Sequence, residues 1–253
     1  MEPARSNTAA CPVKLVWGGK LPSMGDFVWN DARTPLRTQL DGWLVSGMHQ
    51  FRLTHGDNWQ AGFDQAPMWN FIAPAGALDQ GCVAGCVSPS CDRVGRRFPF
   101  IVAYGLPGRL PAWFFSKTVN LVPGLLSRTG VLLFNAIRRR WPKETLIPLI
   151  KQALLSWQES LPPLERGPAA PPDDSIIMNV LLGSSSDSNA APTVPNDRFS
   201  SFPWGDAAAH LGADSSNSYW WTNGASSASL KAFTYGGHPD GALMTWLFGR
   251  SSP

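Results

Sequence analysis

The sequence predicts a protein of the α/β class and of the α+β type, in which helices flank a mixed, largely antiparallel central sheet. Short runs rich in β-branched and aromatic residues alternate with turn residues in the first half of the chain and again near its end. The loops between these runs are too short for parallel crossovers, which favours antiparallel pairing. Helical periodicity elsewhere supplies the flanking layers. Hydrophobic residues make up 43% of the chain and charged residues 15%, a composition typical of globular proteins.

The first half of the chain contains five strand candidates and one long helix. The strands are expected at 13–17, 27–29, 68–73, 81–88 and 98–104. The first of them should stop at Gly18 and Gly19. A helix is expected from Thr34, an N-cap residue that is followed by Pro35 at the first helical position. Its apolar stripe recurs at helical spacing and is interpreted as core: Leu36, Leu40, Leu44, Met48 and Phe51, flanked by Trp43.

Proline residues divide the second half of the chain into three predicted helices, followed by a hairpin and a closing helix. The helices are expected within 112–122 and over 125–141 and 144–160, because Pro123 and Pro142 interrupt the pattern. The segments "SYWWTN" and "LKAFTYGG" predict a hairpin-like pair of strands. The segment "PDGALMTWLFG" predicts the closing helix.

A single domain is expected from 12 to 253, preceded by a disordered leader at 1–11. A Pro-rich loop at 162–174 and a Ser-rich loop at 183–201 interrupt it, and "SIIMNVLL" between them is a short strand or a buried segment. The N-terminus lacks the apolar region of a secretory signal, and Arg128 interrupts the best membrane candidate well short of a spanning length. The sequence therefore predicts a cytoplasmic protein without membrane insertion.

Neither a metal nor nucleic acid is predicted as a ligand. Cys82, Cys86 and Cys91 cluster, but structural zinc sites need a second ligand pair, which the four scattered histidines do not supply. Cys82 and Cys86 are expected to point to one face of a strand as buried thiols. The net charge of +3 is small. The arginines at 138–140 are typical of the end of a helix, where the helix dipole favours cations.

No catalytic or cofactor-binding motif is recognised. The nucleophile elbow G-x-S-x-G does not occur, and Leu21 stands where a phosphate-binding loop with Gly-Lys needs Ser or Thr. Asp26 and Asp92 could in principle act as an acid and a base. Each of them, however, stands beside cations or a turn that could satisfy it. A function without catalysis and without a cofactor is therefore favoured.

Two segments have a similar composition, with Pro-Ser, an Asp, a Gly and a Phe, and this composition predicts rigid turns. They are "GGKLPSMGDF" at 18–27 and "SPSCDRVGRRFPF" at 88–100. Proline fixes φ and glycine permits positive φ, so each segment should have a defined shape. An unpaired ion is costly to desolvate. Asp26 and Asp92 are therefore expected to cap these turns or to pair with nearby cations, namely Lys20, Arg93, Arg96 and Arg97.

Two interpretations of these turns stay open. The turns could simply lock the loops at one end of the sheet. Alternatively, the same locked rim could also be a docking face, because the planar guanidinium groups of Arg96 and Arg97 suit carboxylate or phosphate recognition.

The same segments resemble the TagF/ImpM family of type VI secretion accessory proteins. "GGKLPSMGDF", "PMWNF", "GCVSPSCDRVGRRFPF" and "SYWWTNG" occur in the family's order and match its patterns G-K-L-P-x-x-G-D-F, P-x-W-x-F, P-S-x-D-x-V-G-R-x-F-P and a late Tyr-Trp-Trp. The resemblance spans 13–110 strongly and 215–248 more loosely. It departs from the family at Phe100, where Leu is common, and at the 183–201 stretch. The family-motif or partner-contact residues that it implies are Gly19, Lys20, Pro22, Gly25, Asp26, Phe27, Pro89, Ser90, Asp92, Arg93, Gly95, Arg96, Arg97, Trp220 and Trp221.

The resemblance implies a longin-like fold and a cytoplasmic bacterial protein that regulates type VI secretion after translation, chiefly as a repressor. The implied partner is a forkhead-associated scaffold protein in a threonine-phosphorylation pathway. Trp220 and Trp221 are expected as exposed anchors for a partner. Two alternatives remain: a structural component of the secretion baseplate, and a small phosphate-handling hydrolase that uses Asp26 and Asp92. The sequence specifies no oligomeric state.

Overall fold

A seven-stranded antiparallel sheet forms the centre of the computed structural model, which describes residues 12–30, 34–108, 112–162, 211 and 215–249. Its strands are β1 (Lys14–Gly19), β2 (Val28–Trp29), β3 (Trp69–Ala73), β4 (Val83–Ser88), β5 (Phe100–Gly105), β6 (Asn217–Thr222) and β7 (Ala232–Gly236). They lie in the order β2-β1-β5-β4-β3-β6-β7, and every neighbouring pair is antiparallel. The predicted fold class is confirmed.

Helices cover both faces of this sheet. They are α1 (Pro35–His55), α2 (Trp59–Gln65), α3 (Ala112–Arg139), α4 (Lys143–Glu159) and α5 (Gly241–Phe248). One core lies between the sheet and α1, α2 and α5, and a second core lies between the sheet and α3 and α4. Central strands are therefore buried on both faces. In β5, Phe100, Val102 and Tyr104 belong to the core beneath α3, whereas Ile101 and Ala103 belong to the core beneath α1.

The long helix α1 forms where the sequence predicted it. The Thr34 hydroxyl accepts a hydrogen bond from the Arg37 backbone N–H at 3.2 Å, and Pro35 takes a first-turn position, where its missing N–H leaves no helix bond unmade. The predicted apolar stripe is buried against the sheet. After a 3₁₀ turn at Gly56–Asn58, the chain forms α2, which the sequence did not predict, and α2 packs through Phe63 onto α5.

Helix α3 runs continuously across Pro123, where the sequence predicted a break between two helices. Val119, Val122, Leu126 and Leu133, on both sides of the proline, lie in one buried core. A proline inside a helix costs about 3 kcal/mol, whereas burying one aliphatic side chain contributes about 1.5–3 kcal/mol. The continuous apolar stripe therefore outweighs the local penalty of the proline.

Strand β1 runs through Gly18 and Gly19 instead of stopping before them. The Trp29 indole in β2 lies against Gly18, where a Cβ atom would come within 2.1 Å of the ring. Gly19 has a φ of +122°, and a Cβ atom there would come within 2.0 Å of the Pro99 carbonyl oxygen. The two glycines thus allow close strand packing and set the direction in which the chain leaves β1.

The C-terminal hairpin and the closing helix are confirmed. β6 and β7 are antiparallel neighbours, with Trp221 opposite Ala232 at one end of the register. Helix α5 begins after Asp240, whose carboxylate accepts a hydrogen bond from the Leu243 backbone N–H at 3.0 Å. It packs on α1, where Gly47 leaves room for Met244.

Cys82 and Cys86 are buried thiols in the core beneath α3, on one face of the sheet, as predicted. Burial raises the pKa of Cys82 to about 12, so this thiol stays protonated at neutral pH. Within the described ranges, no cluster of three or more His, Cys, Asp or Glu side chains could hold a metal ion. No helix in this part of the chain combines the length and apolar character needed to cross a membrane.

Several expectations fall outside the described residues. They are the leader at 1–11, the Pro-rich loop from 163 onward, "SIIMNVLL" at 175–182 and the Ser-rich loop at 183–201.

Candidate functional site

Two turns meet at one end of the sheet. We call 20–27, which follows β1, the first turn, and 89–98, which connects β4 to β5, the second turn. β1 and β5 are antiparallel neighbours, and Gly19 at the end of β1 pairs with Phe100 at the start of β5. Ser88 at the end of β4 pairs with the same Phe100. The topology therefore brings both turns to the same corner of the molecule.

A single buried carboxylate organises the second turn. Asp92 is 1% exposed, and its oxygens accept four hydrogen bonds. Oδ1 accepts from the backbone N–H groups of Val94 at 3.1 Å and Arg96 at 2.8 Å. Oδ2 accepts from Lys20 Nζ at 3.1 Å and Arg96 Nε at 2.6 Å. The carboxylate thus ties its own turn together and holds the first turn through Lys20.

These contacts determine the charge state of Asp92. Burial alone would raise the pKa of its carboxyl, but hydrogen bonds from the Arg96 backbone and from the Lys20 and Arg96 side chains outweigh burial and hold the pKa well below its usual range. Asp92 is therefore ionised throughout the neutral range and stays bound to its two cations.

Three further hydrogen bonds fasten the two turns to each other. The Ser90 hydroxyl donates to the Lys20 carbonyl at 2.7 Å, and the Arg93 backbone N–H donates to the Met24 carbonyl at 2.7 Å. Arg96 Nη2 donates to the Gly25 carbonyl at 2.7 Å. Arg96 thus bridges the Asp92 carboxylate and the first turn with one guanidinium group.

Proline and glycine give each turn its shape, as the sequence predicted. In the first turn, the Met24 N–H donates to the Leu21 carbonyl at 2.9 Å, and Pro22 lies between them at the position where a fixed φ favours a β-turn. In the second turn, Gly95 has a φ of +87°, and its N–H donates to the Asp92 carbonyl at 3.0 Å. Pro89, half-buried, leads the chain out of β4.

Lys20 lies between the two turns and not on the protein surface. Its side chain is 7% exposed, and its ammonium lies 4.7 Å from the centre of the Phe27 ring in addition to its bond with Asp92. Phe27 in turn meets Phe98 edge to face, with ring centres 4.8 Å apart. Lys20 therefore supports the turns and is largely shielded from solvent.

Arg97 has a partner that the sequence did not predict. Its Nε and Nη2 donate to the two carboxylate oxygens of Asp64 in α2, each at 2.7 Å. These hydrogen bonds raise the pKa of Arg97. No pattern in the sequence links Asp64 with Arg97, because the position of α2 beside the turn depends on its packing against α1 and α5.

The surface that remains exposed after these contacts is called the rim. It consists of Gly25, Asp26, Phe27, Arg93, Val94, Gly95 and Arg96. Phe27 is 45% exposed and Val94 is 71% exposed. The Arg93 side chain has no hydrogen bond or ion pair with any residue the structure describes. The rim thus combines two apolar side chains with two guanidinium groups on a fixed backbone.

Asp26 is exposed and caps its own turn, since its Oδ1 accepts a hydrogen bond from the Phe27 backbone N–H at 2.8 Å. Among the described residues, no cation forms an ion pair with Asp26. Asp92, in contrast, is buried and accepts four hydrogen bonds. Both oxygens of Asp92 are thus engaged by donors, whereas Asp26 accepts a single backbone hydrogen bond.

The expectation that Trp220 and Trp221 are exposed anchors is wrong. They are 0% and 1% exposed. Both lie in β6, whose edges pair with β3 and β7 and whose two faces are covered by the two cores. Trp220 stacks on Phe71 at 4.8 Å in the core beneath α1, and Trp221 points into the core beneath α3. Two consecutive strand residues point to opposite faces, so both faces bury one indole.

Comparison with known proteins identifies the family. A model of the TagF N-terminal domain, described as type VI secretion system-associated, matches residues 16–152, more than half of the chain. The chain belongs to the TagF family. The match includes both turns of this TagF chain and every rim residue, but β6 and β7 lie beyond it.

A solved structure is similar to this chain over nearly its whole length. This TagF chain is similar to the crystal structure of PA0076 from Pseudomonas aeruginosa PAO1, with 25% identity, a TM-score of 0.50, and coverage of 95% of this chain and 96% of that one. No curated protein matches the chain.

Proposed function

We propose that this TagF chain is a non-enzymatic, cytoplasmic accessory protein that represses type VI secretion after translation by binding a forkhead-associated scaffold protein through the rim. The association of its family with type VI secretion supports the first part of this proposal. The rim supports the second, because the exposed Val94 stands on a locked backbone beside the Arg93 guanidinium, which no described residue binds.

A preorganised surface is suited to binding. Association normally costs the ordering of loops and side chains, and a backbone that is already held by hydrogen bonds avoids much of this cost. The Asp92 contacts and the bonds between the turns hold the rim backbone before any partner arrives. Arginine is enriched among the side chains that dominate interface energies, and aromatic residues including Phe are enriched in interfaces. The rim presents Arg93, Arg96 and Phe27.

Arg93 and Val94 are the best residues for a test, since Arg96 and Arg97 also hold the fold through Asp92 and Asp64. The experiment titrates the purified scaffold of the same secretion system into the wild type and into the double variant R93E/V94S by calorimetry. We expect the double variant to bind about tenfold to a hundredfold more weakly, as for the loss of an interface hot spot.

The chain offers a matched control on α3, where Arg128 is exposed and Val131 is 47% exposed. The variant R128E/V131S makes the same chemical changes in α3, outside both turns. It should bind the scaffold as the wild type does. Circular dichroism and thermal melting confirm that both variants are folded. Equal affinity of R93E/V94S and the wild type would refute the rim as the binding surface, and co-purification with baseplate proteins instead of the scaffold would refute the partner.

A further inference from the structure

One edge of strand β7 pairs with no strand among the residues that the structure describes. β7 is the last strand of the sheet, and no other strand of the described residues lies beyond it. Charged side chains and prolines commonly protect an exposed edge from pairing. The five residues of β7, "AFTYG", include neither. An edge of this kind is a template for another strand.

The hydrogen-bond pattern shows which groups face outward. The Thr222 N–H donates to the Lys231 carbonyl, and the Gly237 N–H donates to the Ser216 carbonyl. Because inward and outward groups alternate along an antiparallel strand, positions 231, 233, 235 and 237 face β6. The N–H and C=O groups of the intervening residues, Ala232, Thr234 and Gly236, therefore point away from the sheet.

We propose that β7 pairs with β7 of a second copy of this chain, in antiparallel register about a two-fold axis at Thr234. In this register Thr234 lies opposite Thr234 of the partner subunit, and Ala232 lies opposite Gly236 of the partner subunit. Every outward N–H and C=O of β7 then has a partner, and the two sheets become one continuous sheet. The surface is self-complementary, as a two-fold interface requires.

Side chains favour a second copy over an unrelated strand. The register places Phe233 directly opposite Tyr235 of the partner subunit at a non-hydrogen-bonded position, where side chains come closest and aromatic pairs are favourable. Lys231 falls opposite Gly237 of the partner subunit, so no like charges face each other across the axis. Trp246 in α5, which is 62% exposed and whose ring centre lies 5.4 Å from that of Phe233, extends this aromatic surface.

The test is the molar mass in solution of the full chain, measured by sedimentation or light scattering at micromolar concentrations. We expect a dimer for the wild type. Thr234→Pro removes an outward N–H that no bond within the sheet uses, and proline is tolerated at such an edge position, so this variant should be a folded monomer. Thr234→Val keeps the N–H and should remain dimeric.

A third variant keeps the test decisive if the proline variant fails to fold. Thr234→Lys keeps the backbone N–H but places two ammonium groups together at the axis, and it should dimerise at least about tenfold more weakly than Thr234→Val. A monomeric wild type would overturn the proposal, even if that monomer bound an extended peptide at β7. So would a folded Thr234→Pro variant, or a Thr234→Lys variant, that dimerises as tightly as the wild type. R93E/V94S should remain dimeric, so failure here is separable from failure of the rim.

Discussion

At the scale of single residues, Asp92 is the centre of the candidate site. One carboxylate accepts two backbone and two side-chain donors, and this arrangement converts a flexible connection into a fixed turn. Removing one partner of a buried ion pair is costly, because the other charge is left without compensation. In this protein that charge is Lys20, whose side chain is 7% exposed.

Asp92→Asn therefore should lower the free energy of unfolding by about 3–5 kcal/mol, since Lys20 would stay buried without a counter-charge. The measurement is urea denaturation at neutral pH. Asp26→Asn is the matched control, because Asp26 is exposed and an asparagine oxygen can still accept the Phe27 N–H. A loss in Asp92→Asn no larger than the loss in Asp26→Asn would contradict this account of the turn.

The pH dependence of stability gives a second test of Asp92. Its pKa is lower in the folded protein than the ordinary value of about 3.9 expected for the unfolded chain. The stabilisation is therefore complete above that unfolded value and is lost as the pH falls towards the folded value. Between about pH 5 and pH 2 the melting temperature of the wild type should fall more steeply than that of Asp92→Asn. If the melting temperatures of the two proteins fell equally with pH, Asp92 would not be the source of this pH dependence.

At the scale of elements, a buried polar contact fixes α3 on the sheet. The Asn223 side-chain amide donates to Asn70 Oδ1 at 2.7 Å and to the Leu126 carbonyl at 3.0 Å. Gly130 of α3 makes room for it, because a Cβ atom at Gly130 would come within 2.1 Å of Asn223 Nδ2. The glycine is therefore required by a contact between layers and not by the backbone conformation of the helix.

Gly130→Ala should destabilise the protein by about 1–3 kcal/mol, because the added methyl displaces Asn223 and leaves a buried amide unsatisfied. At Gly124 in the same helix, a Cβ atom would meet no packing neighbour within 4 Å among the described residues. Gly124→Ala should thus stabilise the protein by about 0.5–1 kcal/mol through helix propensity alone. Thermal or urea denaturation of both variants decides the matter, and changes of the same sign would count against the contact.

Local chemistry explains which elements the sequence could predict. The two turns are predictable because proline fixes φ and glycine permits a positive φ wherever they stand, and because a carboxylate among cations needs partners in any fold. The N-cap of α1 is also predictable, because Thr34 and its partner Arg37 lie three residues apart. The continuity of α3 across Pro123 is not predictable in this way, because its apolar stripe is stabilised by a sheet whose strands lie elsewhere in the sequence.

The candidate site was only partly predictable for the same reason. The position of β6 inside the sheet, which buries Trp220 and Trp221, is decided by β7 and by helices on both faces. The pairing of Arg97 with Asp64 depends on how α2 packs. Contacts of this kind join distant segments, and neither spacing nor residue type indicates them.

At the scale of the whole molecule, the sheet presents two different surfaces. The rim lies at the ends of β1, β4 and β5, whereas the outer edge of β7 runs along the side of the sheet opposite β2. No residue is shared between them. Changes at separate sites without common partners are usually additive. Thr234→Pro should therefore leave the intrinsic affinity of each rim for the scaffold unchanged. Calorimetry with the purified variant and the purified scaffold measures this affinity. A large loss of affinity would show that the two surfaces are coupled.

Hydrogen–deuterium exchange of the full chain, with and without the purified scaffold, locates the surface that the scaffold covers and so tests whether that surface is the rim. If the rim binds the scaffold, the backbone amides of 24–27 and 93–96 should exchange more slowly in the complex, and those of α3 and α4 should be unchanged. Unchanged exchange in both turns, together with protection elsewhere in a saturated complex, would show that the scaffold binds a different surface.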